Sequence, residues 1–131
     1  MHPRNRGSAV VIEDDKVAVI KRCREGEEYY VFPGGGIEDG ETPEHATIRE
    51  AFEELGVQIE VIECLGIVEF NGEQHYFIAK IVGGEFGTGQ GEEYDEIRSH
   101  GLYEPIWIQI AALDSLDVRP MRIAKKLMER M

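Results

Sequence analysis

Gly35-Gly36-Ile37-Glu38-Asp39-Gly40-Glu41-Thr42-Pro43-Glu44-His45-Ala46-Thr47-Ile48-Arg49-Glu50-Ala51-Phe52-Glu53-Glu54-Leu55-Gly56-Val57 is the stretch from which the rest of the chain is read. Its second half carries the signals of one short helix. The Thr42 hydroxyl can cap the first turn, Pro43 suits the first helical position because that N–H would have no partner, and Gly56 suits the stop. Within this helix Glu50, Glu53 and Glu54 stand at i, i+3 and i+4, which points three carboxylates out of one face. Like charges so close repel, and a helix gains nothing from them unless a cation sits among them; a hard divalent metal is the candidate. Arg49 lies eight residues after Glu41 and can tie the preceding loop to the helix through that carboxylate, so Glu41 reads as a brace rather than a ligand.

In this register the stretch resembles the box of the Nudix (MutT-like) hydrolases. That box runs Gly, five residues, Glu, seven residues, Arg-Glu, an aliphatic residue, any residue, Glu-Glu, any residue, Gly and an aliphatic residue. Gly35, Glu41, Arg49, Glu50, Ala51, Glu53, Glu54, Gly56 and Val57 fill it over residues 35–57, with Ala51 a small apolar choice. The resemblance implies one Nudix domain over residues 1–131, an α/β fold of the α/β/α sandwich type with a mixed central sheet. It also implies hydrolysis of a diphosphate linkage in a nucleoside diphosphate joined to another group: a nucleoside triphosphate, a nucleotide sugar or ADP-ribose. Mg²⁺ is the implied cofactor, with Mn²⁺ able to substitute. The implied ligands are Glu50, Glu53, Glu54 and the Gly34 carbonyl, and Gly35, Glu41, Arg49 and Gly56 would brace the box. The general base must be a carboxylate within reach of the attacking water, with Glu53 the first choice, then Glu50, then Glu93. The alternative is a Nudix-fold domain that binds a nucleotide metabolite as a sensor without cleaving it.

Composition sets the frame around this motif. At 131 residues, 42% hydrophobic and 31% charged, the chain has the size and balance of one globular domain, and no apolar run approaches the ~20 residues of a membrane span. Met1-His2-Pro3-Arg4-Asn5-Arg6-Gly7 has no apolar segment behind its positive charges, so no secretory signal is read and a cytoplasmic protein is expected. Cys23 and Cys64 stand far apart with no metal-ligand spacing, and two reduced thiols are the simpler reading. A net charge of −12 repels nucleic-acid phosphates, which makes nucleic acid an unfavoured partner. A small nucleotide arriving with its own metal is not excluded. Homodimer formation is left open.

The flanks read as a sheet. Ser8–Ile12 and Val17–Ile20 look like the strands of a hairpin around Glu13-Asp14-Asp15-Lys16. Arg22, in the basic run closing the second strand, is either a phosphate contact or an ordinary surface charge. Tyr29–Phe32 reads as a strand that ends at Pro33. Gly34-Gly35-Gly36 follows, where bare backbone can approach a ligand or take positive φ; a simple tight turn is the other reading. After the helix, residues 58–68 suit a strand bent at Gly66, Asn71-Gly72 signals a hairpin, and His75–Val82, apolar on both faces, suits the middle of a sheet covered on both sides. Residues 83–101 form a long acidic, glycine-containing connection. The resemblance implies that this loop adds an acid to the metal site: Glu93 first, Glu92 second, against the alternative of a solvated acidic loop. Tyr103–Ile108 reads as a late strand in which Trp107 is a core residue rather than a base-stacking one, and residues after Pro120 form an amphipathic helix on Ile123, Leu127 and Met131. Tyr30, Phe32, Phe86 and Tyr94 are the aromatic candidates for stacking on a base.

Overall fold

The computed structural model describes residues 4–88 and 102–130. Eight strands occur: β1 (Arg6–Glu13), β2 (Lys16–Arg24), β3 (Glu27–Val31), β4 (Gly34–Gly36), β5 (Val57–Glu69), β6 (Glu73–Gly84), β7 (Leu102–Gln109) and β8 (Val118–Arg119). Two α-helices, α1 (Pro43–Leu55) and α2 (Met121–Arg130), and a 3-10 segment at Ile110–Ser115 complete the described chain.

The expected hairpin forms, but its strands pair only at Ile12↔Val17 and Glu13↔Lys16. Asp14 and Asp15, both at positive φ, turn the chain there. Beyond that point the strands diverge into two halves of one curled, mixed sheet. β1 runs parallel to β6 and antiparallel to β4, and β6 pairs with β5; β2 instead lies antiparallel between β3 and β7.

Because α1 and α2 cover opposite faces, consecutive residues on the central strands alternate between two cores rather than between core and water. Val10, Val17, Val19 and Ile78 face the core closed by Ile123, Ala124 and Leu127 of α2. Ala9, Val11, Ala18, Ile20 and Ala79 face the other, closed by Ala51 and Leu55 of α1. Ile123 and Leu127 are fully buried, each worth about 1.5–3 kcal/mol relative to exposure. Met131 lies outside the described residues. Trp107 packs on the α1-side core, its ring 4.9 Å from that of Phe86, which is the core role read from the sequence.

β5 is a long edge strand whose register shifts three times, between Gln58 and Ile59, Val61 and Glu63, and Cys64 and Gly66, so the bend expected at Gly66 is one of a series. The hairpin at Asn71-Gly72 forms, both residues at positive φ. One expectation is corrected. Gly34, Gly35 and Gly36 do not take positive φ; they form an extended strand paired with Arg6, Gly7 and Ser8. What demands glycine there is close approach rather than turn geometry.

Candidate active site

Helix α1 begins as its sequence dictates, with the Thr42 hydroxyl accepting from the His45 N–H at 3.1 Å and Pro43 in the first turn. It ends at Gly56, in the left-handed conformation at φ 81°, whose N–H donates to Phe52 O. Its buried stripe is Ala46, Thr47, Glu50, Ala51, Glu54 and Leu55, so Glu50 and Glu54 occupy the sheet-facing side of an otherwise apolar face. Glu53 stands on the flank. The three acids therefore share a sector of the helix without sharing an environment.

β4 supplies the surface against which the two inner acids lie. The Gly34 N–H donates to Glu54 Oε2 at 3.0 Å, and a Cβ placed on Gly35 would overlap the Glu50 carboxylate. Gly35→Ala is accordingly expected to displace that carboxylate from Arg49, lowering the unfolding transition modestly and turnover strongly; circular dichroism melts alongside nucleotide hydrolysis check the two halves of this expectation.

Among the described residues, the Arg49 guanidinium brings a positive charge to these acids. It holds Glu41 with two bonds, Nε to Oε2 at 2.8 Å and Nη2 to Oε1 at 2.9 Å, and Nη2 also donates to Gly36 O at 3.0 Å. Nη1 reaches Glu50 Oε2 at 3.1 Å and Glu53 Oε2 at 3.4 Å. Arg49 and the Glu38 N–H hold the Glu41 carboxyl far below the usual carboxylate range, at about 2. The loop before α1 is thus clamped to the helix through Glu41, as its spacing from Arg49 indicated. Among the described residues no three His, Cys, Asp or Glu side chains converge into a ready cage. With Arg49 between Glu50 and Glu53, and Glu54 turned to Gly34, mutual repulsion is relieved by separation and by the guanidinium. The donor chemistry nevertheless suits a hard cation, since Glu50, Glu53, Glu54 and the Gly34 carbonyl offer oxygen alone and Gly35 leaves the Glu50 carboxylate room against the backbone. Glu93 and Glu92, the loop acids expected to join them, lie outside the described residues.

A cavity of about 780 Å³ opens beside this box, and Gly34 and Glu54 belong to its wall. Arg22, either a phosphate contact or an ordinary surface charge by its sequence, lines it, and so do Arg4, Arg6 and Arg119, which the sequence did not single out. Of the stacking candidates, Phe32 lines the cavity; Phe86 is engaged with Trp107, Tyr30 packs against the α2-side core, and Tyr94 lies outside the described residues. Phe70, 77% exposed on the turn at the cavity edge, was not foreseen. A large apolar side chain next to Asn71-Gly72 was its only signal.

A mixed curled sheet between two helices, with a braced acidic helix beside a glycine strand, defines an α/β/α sandwich of a recognisable class. The family model for the NUDIX domain matches residues 2–127, and the chain belongs to that family. It is 32% identical over 97 residues to an ADP-ribose pyrophosphatase of Methanocaldococcus jannaschii, covering 68% of this chain and 57% of that protein. It is also 45% identical over 56 residues to an RNA pyrophosphohydrolase of Actinobacillus succinogenes, covering 43% of this chain and 28% of that protein. In both cases the chain spans less than two thirds of the relative's length. A NUDIX hydrolase from Nitrosomonas europaea superposes with a TM-score of 0.73 over 98% of this chain and 90% of that one, at 21% identity, and shares the fold. Among the described residues no helix is long and apolar enough to cross a membrane.

Proposed function

We propose that this chain is a divalent-metal-dependent pyrophosphohydrolase that cleaves the diphosphate linkage of a small nucleotide. The observation that carries this reading is the meeting of two features at one place: the acidic box on α1 and an arginine-lined cavity whose wall includes the box residues Gly34 and Glu54. The named relatives support it, since RNA pyrophosphohydrolase and ADP-ribose pyrophosphatase share one bond, the phosphoric anhydride, and differ in what is attached to it.

Diphosphate linkages resist hydroxide because their own oxygens repel it. Glu50, Glu53, Glu54 and the Gly34 carbonyl would hold Mg²⁺, or Mn²⁺ in its place, with Glu93 as the loop acid. Such an ion supplies charge neutralisation on the phosphate oxygens and a bound water of lowered pKa. The chain's own residues do the rest. Arg49 and Glu41 fix the loop that positions β4, Arg22 orients a phosphate, and Glu53, with the most exposed of the three box carboxylates, takes the proton of the attacking water. No covalent intermediate is required.

The test is incubation with Mg²⁺ and a panel of ATP, dGTP, ADP-ribose and a UDP-sugar, reading released nucleoside monophosphate and phosphate. Metal-dependent release that stops in EDTA is the expected result. Nucleotide binding without release from any of them would replace this reading with that of a sensor.

A further inference from the structure

Four guanidinium groups line one cavity of a protein whose net charge is −12. Arg119 is already compensated: it pairs with Asp117 at 2.9 Å and with Glu27, and lies over the Tyr29 ring at 4.1 Å. The other three are not. Among the described residues, Arg4, Arg6 and Arg22 make no ion pair, although the chain carries 26 acids.

Each of the three is nonetheless held in place. The Arg6 Nη2 donates to the Gly34 carbonyl at 3.2 Å. Arg4 packs its guanidinium against Gly36, where a Cβ would collide with it, and its main chain is pinned by the Arg4 N–H to Asn71 O bond at 2.8 Å. The Arg22 guanidinium lies 5.0 Å over the Tyr103 ring, and its Nε is buried without a hydrogen-bond partner. A buried donor without an acceptor is costly, and like charges gathered around one cavity add repulsion. A multiply charged anion in the cavity relieves both.

We propose that Arg4, Arg6 and Arg22 form a polyphosphate subsite, so that the substrate class is a nucleotide with a chain of three or more phosphates rather than a diphosphate flanked by two sugars. This rests on the hydrolase reading for its biological meaning but not for its chemistry. The box carboxylates, with the metal they would hold, would serve the scissile diphosphate, and ADP-ribose or a nucleotide sugar brings no phosphate beyond it. A triphosphate brings another, with oxygens that match the guanidinium fork in pairs. Arg6 at the Gly34 carbonyl and Arg4 against Gly36 extend this subsite along β4 from the box, and the additional phosphate would lie on these guanidinium groups.

The experiment is an equilibrium titration of the full chain in EDTA with inorganic tripolyphosphate and, separately, pyrophosphate. Tripolyphosphate is expected to bind about tenfold tighter, and Arg4→Gln and Arg6→Gln, both at exposed positions, are each expected to weaken it about tenfold, one charge-assisted contact being worth about 1.4 kcal/mol. In parallel, the ratio of kcat/KM for ATP to that for ADP-ribose should fall in both variants. A 5′-triphosphate oligonucleotide compared with free ATP tells an RNA end from a mononucleotide as the source of the chain. Equal binding of the two inorganic anions, untouched by either substitution, overturns the subsite even if hydrolysis is observed. Selective tripolyphosphate binding without hydrolysis of any nucleotide upholds the subsite and overturns only the hydrolase.

Discussion

Glu53→Gln is expected to lower turnover of a Mg²⁺-nucleotide by about 10³-fold, the range in which a positioned general base acts. Its stability should stay within about 0.5 kcal/mol of wild type, as for an ordinary surface substitution. The reason lies in how the box distributes its acids. The Glu50 side chain is 8% exposed and held by Arg49, and the residue Glu54 is 1% exposed with its carboxylate turned to the Gly34 N–H. Glu53 keeps 42% of its side chain exposed and meets Arg49 at 3.4 Å, the longest of that guanidinium's hydrogen bonds to the acids. Glutamine keeps the shape and still accepts from Arg49, but at neutral pH it takes no proton and brings no negative charge to a metal. The loss should appear in kcat more than in KM, since the group acts on the water and not on the bound nucleotide. Glu50→Gln is also expected to be slow, yet with an added stability cost because that carboxylate is buried against Gly35. Wild-type turnover in Glu53→Gln would move the base elsewhere, to Glu50 or to the loop acid Glu93.

What the sequence made legible was local, and its limits were tertiary. Thr42, Pro43 and Gly56 announced α1 because caps act over one turn, and Arg49 to Glu41 could be paired because both lie in one short segment. The two-sided burial of β6 was visible in its unbroken apolar run, with Tyr76 and Ile78 in one core and Ala79 in the other. The inequality of the three glutamates was present in the pattern as well. Ala46-Thr47, Glu50-Ala51 and Glu54-Leu55 recur every four residues and mark the buried stripe, which leaves Glu53 beside it. Reading charge alone, as a set of carboxylates on one face, concealed this. Arg4 and Arg6 were illegible for a different reason. A polar N-terminal segment looks frayed until β1 is seen to pair with both β4 and β6, contacts that join residues far apart in the chain. Only that pairing brings the two arginines to the cavity wall. By sequence the glycines of β4 read as bare backbone for a ligand or a positive-φ turn, whereas what approaches them is Ser8, Glu50 and Arg4 of the protein itself.

Arg49→Met tests the other half of the box, its scaffold. The substitution keeps an apolar stem of similar length and removes every donor, so the Glu41 carboxylate, the Gly36 carbonyl and the Glu50 carboxylate all lose the guanidinium at once. Glu50 is the costly member, because a buried carboxylate deprived of its cation is penalised, and a loss of about 2–3 kcal/mol in unfolding free energy is expected at neutral pH. The loss has a pH signature that separates the clamp from simple packing. Glu41 titrates at about 2 in the folded protein against an ordinary 4.5, because Arg49 and the Glu38 N–H favour its ionised form. A folded value below the unfolded one means that its contribution is complete above the unfolded value and is lost as pH falls from about 4.5 through about 2. Arg49→Met removes the main cause of that depression. Urea midpoints of wild type and variant should therefore differ by a constant amount above the carboxylate range and converge as the pH drops below about 4.5. A gap that stays constant down to acid pH would assign Arg49's contribution to the packing of its stem. Turnover should fall as well, because the loop that carries β4 would no longer be tied to the helix that carries the acids.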